Sequence, residues 1–254
     1  IPILYVQYPD FYRGLYSWFT QSGYSYSATP SSPLETWAGT GENPFIFRNL
    51  VSTTYIYTKE NTINNYSSVH FNNKNEYLSN ETEGSLFKDS LTVYVVARYD
   101  STTAGSEYLT LLSSCENGNT VFGGIPGTAY TGFGIARDGK LAAYSKPSYQ
   151  ALVSNKRSQF TMSPNQWHVV SYSTTGIANQ SFNIVVGLDN MTDTLANIQA
   201  YSHTYLSLGN CLTGSGSTAF PWFGDIAELI IFNRILSTDE RSSLELYLKY
   251  KYNL

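Results

Sequence analysis

Long apolar runs are missing from this chain. No stretch approaches the roughly 18 apolar residues that a membrane-crossing helix needs, so insertion into a bilayer by a helix is not expected. Charge is also scarce. Asp, Glu, Lys and Arg supply 13% of the 254 residues, with a net charge of −4; that share is about half the ordinary one. No basic cluster occurs, so the phosphate-neutralising attraction behind nucleic-acid binding has no source. Cysteine is limited to Cys115 and Cys211. Two cysteines make no disulfide framework, and a pair or two buried thiols are equally open readings. The three histidines, His70, His168 and His203, belong to no H-E-x-x-H or comparable metal motif. Ile1 opens the sequence without a signal-peptide pattern, as a processed product or an excised domain would. Repeats of 20–50 residues are absent too, which argues against propellers and solenoids.

What is present favours strands. Aromatics reach 15%, with 22 tyrosines, and apolar residues 42%, enough for a sizeable core. Tyr and Thr suit strands, whereas Lys, Glu and Ala are depleted there. Over 91–98, Leu91, Val93, Val95 and Ala97 fall on one face and Thr92, Tyr94, Val96 and Arg98 on the other, the period of a strand. Further strands are expected over 107–113, 132–137, 140–144, 167–173, 181–188 and 205–208. Asp138-Gly139 is expected to form a type I′ hairpin turn, and Asp189-Asn190 the turn after 181–188. A hairpin is expected over 68–78, turning at 72–75. Residues 1–65 read as an irregular, loop-rich region in which Trp37, Phe45 and Phe47 pin loops to a core. One helix is expected, at the end: Ser237 and Glu240 have capping-box spacing, Leu244 and Leu248 form a buried pair, and Lys249 and Lys251 complement the dipole. Many short strands with turn chemistry between them predict an all-β sandwich or barrel with one short C-terminal helix, a single domain over 1–254.

The run Trp222–Ser237 leads straight into that helix. With Gly224, Ile226, Ala227, Glu228, Asn233 and Arg234 before Leu236-Ser237, and Tyr247, Leu248, Lys251 and Leu254 after it, it resembles the closing segment of laminin-G-like domains. These belong to the concanavalin A-like lectin/glucanase superfamily and occur in bacterial and phage surface proteins. Residues 14–19, 68–78, 91–97 and 167–170 resemble earlier strands of that family in the right order. The resemblance implies a jelly roll of two antiparallel sheets.

Catalysis is not expected. Retaining glycosidases need two carboxylates about 5–5.5 Å apart, and residues i and i+2 of a strand can supply that spacing. Asp225 and Glu228 are three apart, which predicts opposite faces. Glu81 and Glu83 have the right parity but sit in a polar loop segment, and His168 reads as a surface strand residue. Alternation puts Glu228 beside Ile226, Ile230 and Phe232, facing a core. A carboxylate satisfied there by backbone N–H, a Tyr hydroxyl, Arg98 or Arg234 is preferred to a catalytic acid.

The expectation is therefore a lectin-like, non-enzymatic carbohydrate-binding or adhesion module at an extracellular or virion surface, serving host or glycan attachment. Its partner would be a glycan or cell-surface polysaccharide. Trp37, Tyr130, Tyr149, Tyr201 and Trp222 are the candidate platforms for stacking on sugar rings. Family resemblance also raises Ca²⁺, for which Asp189, Asn190 and Asp193 are the best cluster of oxygen ligands. A virion structural or decoration protein, using the sandwich for homo-oligomer or other protein contacts, is the alternative. A glycoside hydrolase ranks third.

Overall fold

The computed structural model describes residues 13–26, 33–49, 56–72, 74–100, 108–115, 121–122, 125–126, 130–146, 154–175, 181–199, 205–213, 217–218 and 220–254. In chain order the strands are β1 (Leu15–Phe19), β2 (Tyr24–Tyr26), β3 (Leu34–Ala38), β4 (Ile46–Arg48), β5 (Tyr57–Ile63), β6 (Tyr66–Phe71), β7 (Leu78–Asn80), β8 (Leu91–Tyr99), β9 (Tyr108–Cys115), β10 (Val121–Phe122) and β11 (Ile125–Pro126). They continue with β12 (Tyr130–Ala136), β13 (Lys140–Lys146), β14 (Ser154–Thr161), β15 (His168–Thr174), β16 (Ser181–Leu188), β17 (Met191–Gln199), β18 (Tyr205–Leu208), β19 (Leu212–Thr213), β20 (Ser217–Thr218) and β21 (Gly224–Phe232). Helix α1 (Thr238–Tyr252) closes the chain.

Among the described residues, eight strands form one antiparallel sheet, ordered β17-β16-β15-β8-β21-β6-β5 with β1 also on β21. Nine form the other, ordered β14-β13-β12-β9-β18-β7-β4-β3-β2. The inward faces meet in one apolar cluster, to which Val93, Val95, Val170, Ile226, Leu229 and Ile231 come from the first sheet and Trp37, Phe47, Leu111, Phe133 and Leu208 from the second. This is the two-sheet antiparallel β-sandwich that the family resemblance implies, with the one C-terminal helix expected from the sequence, and it decides between the sandwich and the barrel that the strand pattern left open.

The outer face of the eight-stranded sheet carries a second cluster. Tyr94, Val96, Val169, Ile230 and Phe232 pack there against Leu244, Leu248 and Tyr252 of α1. The helix starts as its sequence demands: the Ser237 hydroxyl accepts from Glu240 N at 3.3 Å, and Glu240 Oε2 accepts from Ser237 N at 2.7 Å. Arg234 adds a bidentate grip on Glu240, at 2.8 and 2.6 Å.

Four local expectations are corrected. Within the described part of residues 1–65, the strand expected over 14–19 is present as β1, and Trp37, Phe45 and Phe47 are buried as expected, but the stretch beyond it forms four more strands, β2 to β5, rather than loops. The expected hairpin over 68–78 is a crossing between sheets, since β6 and β7 belong to different ones. The hairpin in this region joins β5 to β6 through Asn64 and Asn65, both at positive φ (44° and 65°). At Asp138-Gly139 only Gly139 has positive φ, +78°, and the Gly139 N–H reaches Ala136 O at 2.8 Å. That is a three-residue loop ending in a left-handed residue, not a type I′ turn. Asp189 and Asn190, at φ 49° and 81°, do form the two-residue turn expected of them.

The fourth correction concerns β21. Its register against β8 shifts between Ile226 and Glu228, which marks a bulge. Ile226, Leu229 and Ile231 point into the main core, whereas Ala227, Ile230 and Phe232 point under the helix. Glu228 therefore shares the outer face with Ile230 and Phe232 but not with Ile226. Asp225, one residue before Ile226, lies on that same outer face. The two acids expected on opposite faces stand on one.

Candidate functional site

Both acids are consumed by structure. Glu228 is wholly buried and takes Lys251 Nζ of α1 at 3.0 and 2.9 Å and the indole N–H of Trp18. The Lys251 ammonium lies 5.1 Å from the ring centroids of Tyr66 and Tyr252, 5.8 Å from Trp18 and 5.9 Å from Tyr247. Such distances permit cation–π attraction. The lysine supplies the charge that the sequence reading sought from Arg98 or Arg234. Asp225, also fully buried, is held by the Arg98 guanidinium, by His70 Nδ1 at 3.0 Å, by Ser68 Oγ at 3.3 Å and by Lys59 at 3.8 Å. Burial alone would raise its pKa, but His70, Arg98 and Lys59 outweigh that and hold the carboxyl below its ordinary range.

The sequence-nominated ring platforms divide. Trp37 and Trp222 are 0% exposed, so neither offers a ring face to a ligand, which corrects that expectation. Trp37 instead packs on Phe19 and Tyr24 and donates to Thr20 O at 2.8 Å; Trp222 packs on Tyr99. Both occur where the chain must fill the interior between broad sheets, and large aromatics do that best. The backbone of Tyr130 sits in β12 opposite Lys146 and Cys115. Tyr149 and Tyr201 lie outside the described residues.

Asp189, Asn190 and Asp193 do not act as one ligand set. The Asp189 carboxylate accepts from His168 Nδ1 at 2.5 Å and Val169 N at 2.9 Å. Asp193 turns away to Gln159 N and Thr194 N, each at 2.8 Å. Ca²⁺ needs six to eight oxygens around one point, and these three side chains do not fit that demand together. Among the described residues no group of three or more His, Cys, Asp or Glu is placed to hold a metal ion. His168, expected at the surface, is 8% exposed, because its ring is tied down to the turn by Asp189.

The same turn borders a groove that the sequence reading did not foresee. A cavity of about 500 Å³ opens between it and α1, lined by Asn190, Thr192, Thr238, Arg241, Ser242, Glu245 and Leu246. At its base the buried Glu245 accepts from the Tyr94 hydroxyl at 3.1 Å. The Asn190 amide fits with its nitrogen 2.9 Å from Glu245 Oε2 and its oxygen 3.0 Å from Lys249 Nζ. Lys249 also donates to Asp189 O at 3.1 Å, which fastens the turn to the helix. Burial pushes the Glu245 carboxyl above its usual range, against the hydrogen bond from Tyr94 and the charges of Arg241 and Lys249. The Arg241 guanidinium lies against the Tyr94 hydroxyl, and its Nη2 is sealed from solvent. Leu246, 70% exposed, gives the groove an apolar lip. The one signal that pointed here was the i, i+4, i+8 run Arg241, Glu245 and Lys249 along one helix face.

The outward side of the nine-stranded sheet holds a separate aromatic cluster. Tyr108 and Tyr144 lie 4.7 Å apart with their rings tilted by 31°, with Phe220 5.3 Å from each and Arg157 5.9 Å above Tyr108. Both tyrosines are fully buried.

The fold and its sites thus define the class: a two-sheet antiparallel β-sandwich whose outer face is capped by a C-terminal helix. Among solved structures it is similar to Trypanosoma rangeli sialidase in complex with sialic acid, with a TM-score of 0.58 and 12% identity over 94% of this chain and 34% of that one. The same sialidase with 2,3-difluorosialic acid gives 0.56 and 13% over the same shares. The Ruminococcus gnavus IT-sialidase CBM40 bound to α2,6 sialyllactose gives 0.47 and 14%, over 72% of this chain and 95% of that one. The chain spans about a third of the length of the trypanosomal sialidase. At such identities the likeness to that sialidase concerns the fold alone. No family model and no curated protein matches the sequence.

Proposed function

We propose that this chain is a non-enzymatic carbohydrate-binding or adhesion module of the laminin-G-like type, working at an extracellular or virion surface. The groove between the Asp189-Asn190 turn and α1 carries the reading. It combines hydroxyls (Thr192, Thr238, Ser242), an amide (Asn190), a guanidinium (Arg241) and a carboxylate (Glu245) with an apolar lip at Leu246. Sugars present donors and acceptors around a partly apolar ring, and a concave site with a few fixed polar groups suits them. The acids argue against hydrolysis. The Asp225 carboxyl is held low and Glu228 is locked to Lys251, and the groove lining carries a single carboxylate, the raised Glu245, where glycoside hydrolysis uses two.

A glycan array, run with and without EDTA, tests the reading. Specific, saturable binding that Asn190→Ala abolishes supports it, and the EDTA arm reports whether Ca²⁺ participates. Turnover of any polysaccharide, lost on removing one carboxylate, contradicts it. A second reading, a virion structural or decoration protein, draws on one observation. Leu246, Tyr250 and Leu254 recur every four residues along the C-terminal helix and its end, at 70%, 80% and 43% exposure. That apolar stripe suits protein contact. No glycan bound, together with a stable oligomer in light scattering, favours it.

A further inference from the structure

Away from the groove, and independently of the sugar reading, we propose that the outer face of the eight-stranded sheet carries a receptor for a primary alkylammonium ion, which the chain fills with its own Lys251. The walls come from four elements: Trp18 of β1, Tyr66 of β6, Glu228 of β21, and Tyr247 and Tyr252 of α1. Lys251 Nζ donates to both Glu228 oxygens, at 3.0 and 2.9 Å. Its charge stands 5.1 Å from the ring centroids of Tyr66 and Tyr252, 5.8 Å from Trp18 and 5.9 Å from Tyr247. Among the described residues Lys251 is the one cation paired with Glu228.

Each wall sets a requirement. Glu228 is 0% exposed, and its other partners, the Trp18 indole N–H and the Tyr252 hydroxyl, are neutral, so the occupant must bring a positive charge. Ring faces attract that charge and repel an anion. Donation to two oxygens of one carboxylate needs N–H groups on a compact head, which an alkylammonium has and a quaternary ammonium lacks. The walls are held without the lysine. Trp18 lies in the β1–β21 ladder opposite Ile230, with backbone bonds to and from Thr40 at 2.6 and 2.9 Å. Tyr66 meets Tyr252 edge-on at 5.1 Å, and Trp18 meets Tyr247 edge-on at 6.1 Å. Leu244 and Leu248 keep α1 on the sheet. Truncating Lys251 to Ala thus removes the equivalent of n-propylammonium and leaves the rings and the anion that recognise it. The last turn of α1 is docked as a tethered ligand.

The experiment is chemical rescue. Wild type, Lys251→Ala and Glu228→Gln/Lys251→Ala are melted, and the Trp18 indole N–H is followed by ¹⁵N NMR, as n-propylammonium chloride is added. Sodium chloride, 1-propanol and tetramethylammonium chloride control for ionic strength, for the apolar stem and for charge without N–H. Lys251→Ala should melt below wild type. n-Propylammonium should raise its melting temperature saturably, by about 3 °C or more, and return the indole resonance toward its wild-type position. The three controls should give less than half of that rise. Wild type, whose site is filled, and the double variant, whose anion is gone, should not respond. If Lys251→Ala does not fold alone, its refolding yield with each additive replaces the melt, with the same ranking expected. An equal effect from any control, an equal response in the double variant, or no rescue by n-propylammonium in either format overturns the proposal.

Discussion

Lys251, in the last turn of α1, holds both carboxylate oxygens of Glu228, at 3.0 and 2.9 Å, across the outer face of the eight-stranded sheet. The Glu228 side chain is fully buried and that of Lys251 is 11% exposed. Four aromatic rings enclose the ammonium. The helix that forms one wall of the groove is thus fastened at its far end by a desolvated ion pair.

Removing one member of such a pair strands the other. Lys251→Met should cost about 3–5 kcal/mol, because the buried Glu228 carboxylate loses its counter-ion and is left with neutral donors such as the Trp18 indole N–H. The double variant Glu228→Gln/Lys251→Met should recover much of that loss. Urea unfolding of the three proteins checks it. A single variant within about 1 kcal/mol of wild type would show a pair as weak as a surface one.

Asp225 sets a pH dependence. Its pKa is lowered in the fold from an ordinary 3.8, so the folded state binds fewer protons than the unfolded chain in acid. Its contribution is full above the unfolded value and is lost as pH falls through the folded one. Glu245 acts in the opposite sense. Burial raises its pKa above 4.5, so its ionisation opposes folding as pH rises, and protonation relieves that. Relative to wild type, Asp225→Asn should therefore lose less stability between about pH 5 and pH 2, and Glu245→Gln should lose less as pH rises from 4.5 through the raised value. Chemical denaturation at several pH values reads both slopes, and slopes of the reverse order would refute the assignment.

Gly224 opens β21 at φ +144°, and a Cβ there would stand 2.0 Å from Arg98 O. Gly224→Ala combines backbone strain with a clash against neighbouring main chain, and should cost at least ~2 kcal/mol. The melting temperature tests this, with no significant drop as the contrary result.

Much of this architecture is legible in the sequence. Alternation in 91–98 and 181–188 marks strands because successive side chains go to opposite faces, although in 91–97 both faces are buried, one in the core and one under the helix. The Ser237–Glu240 spacing marks the helix because it satisfies orphan backbone groups. The short strands escape detection: Tyr24–Tyr26 and Ile46–Arg48 hold three residues each, too few for a period to show. The bulge at Ala227–Glu228 carries no Gly or Pro to betray it, yet it moves a carboxylate onto a new face. Trp37 and Trp222 have platform chemistry, and only packing shows that both are spent on the core. The groove joins Asn190 to Arg241, residues distant in the chain: the turn and the helix are each legible locally, but nothing in the sequence places one against the other.

The central claim is that the groove between the Asp189-Asn190 turn and α1 holds a sugar. Calorimetric titration of the strongest glycan-array ligand into the wild type, Asn190→Ala and Arg241→Gln tests it most directly. Saturable 1:1 binding, weakened tenfold or more by each substitution and unchanged by Tyr130→Ala, is the predicted result. Binding that persists undiminished in both groove variants would place the site elsewhere and contradict the account.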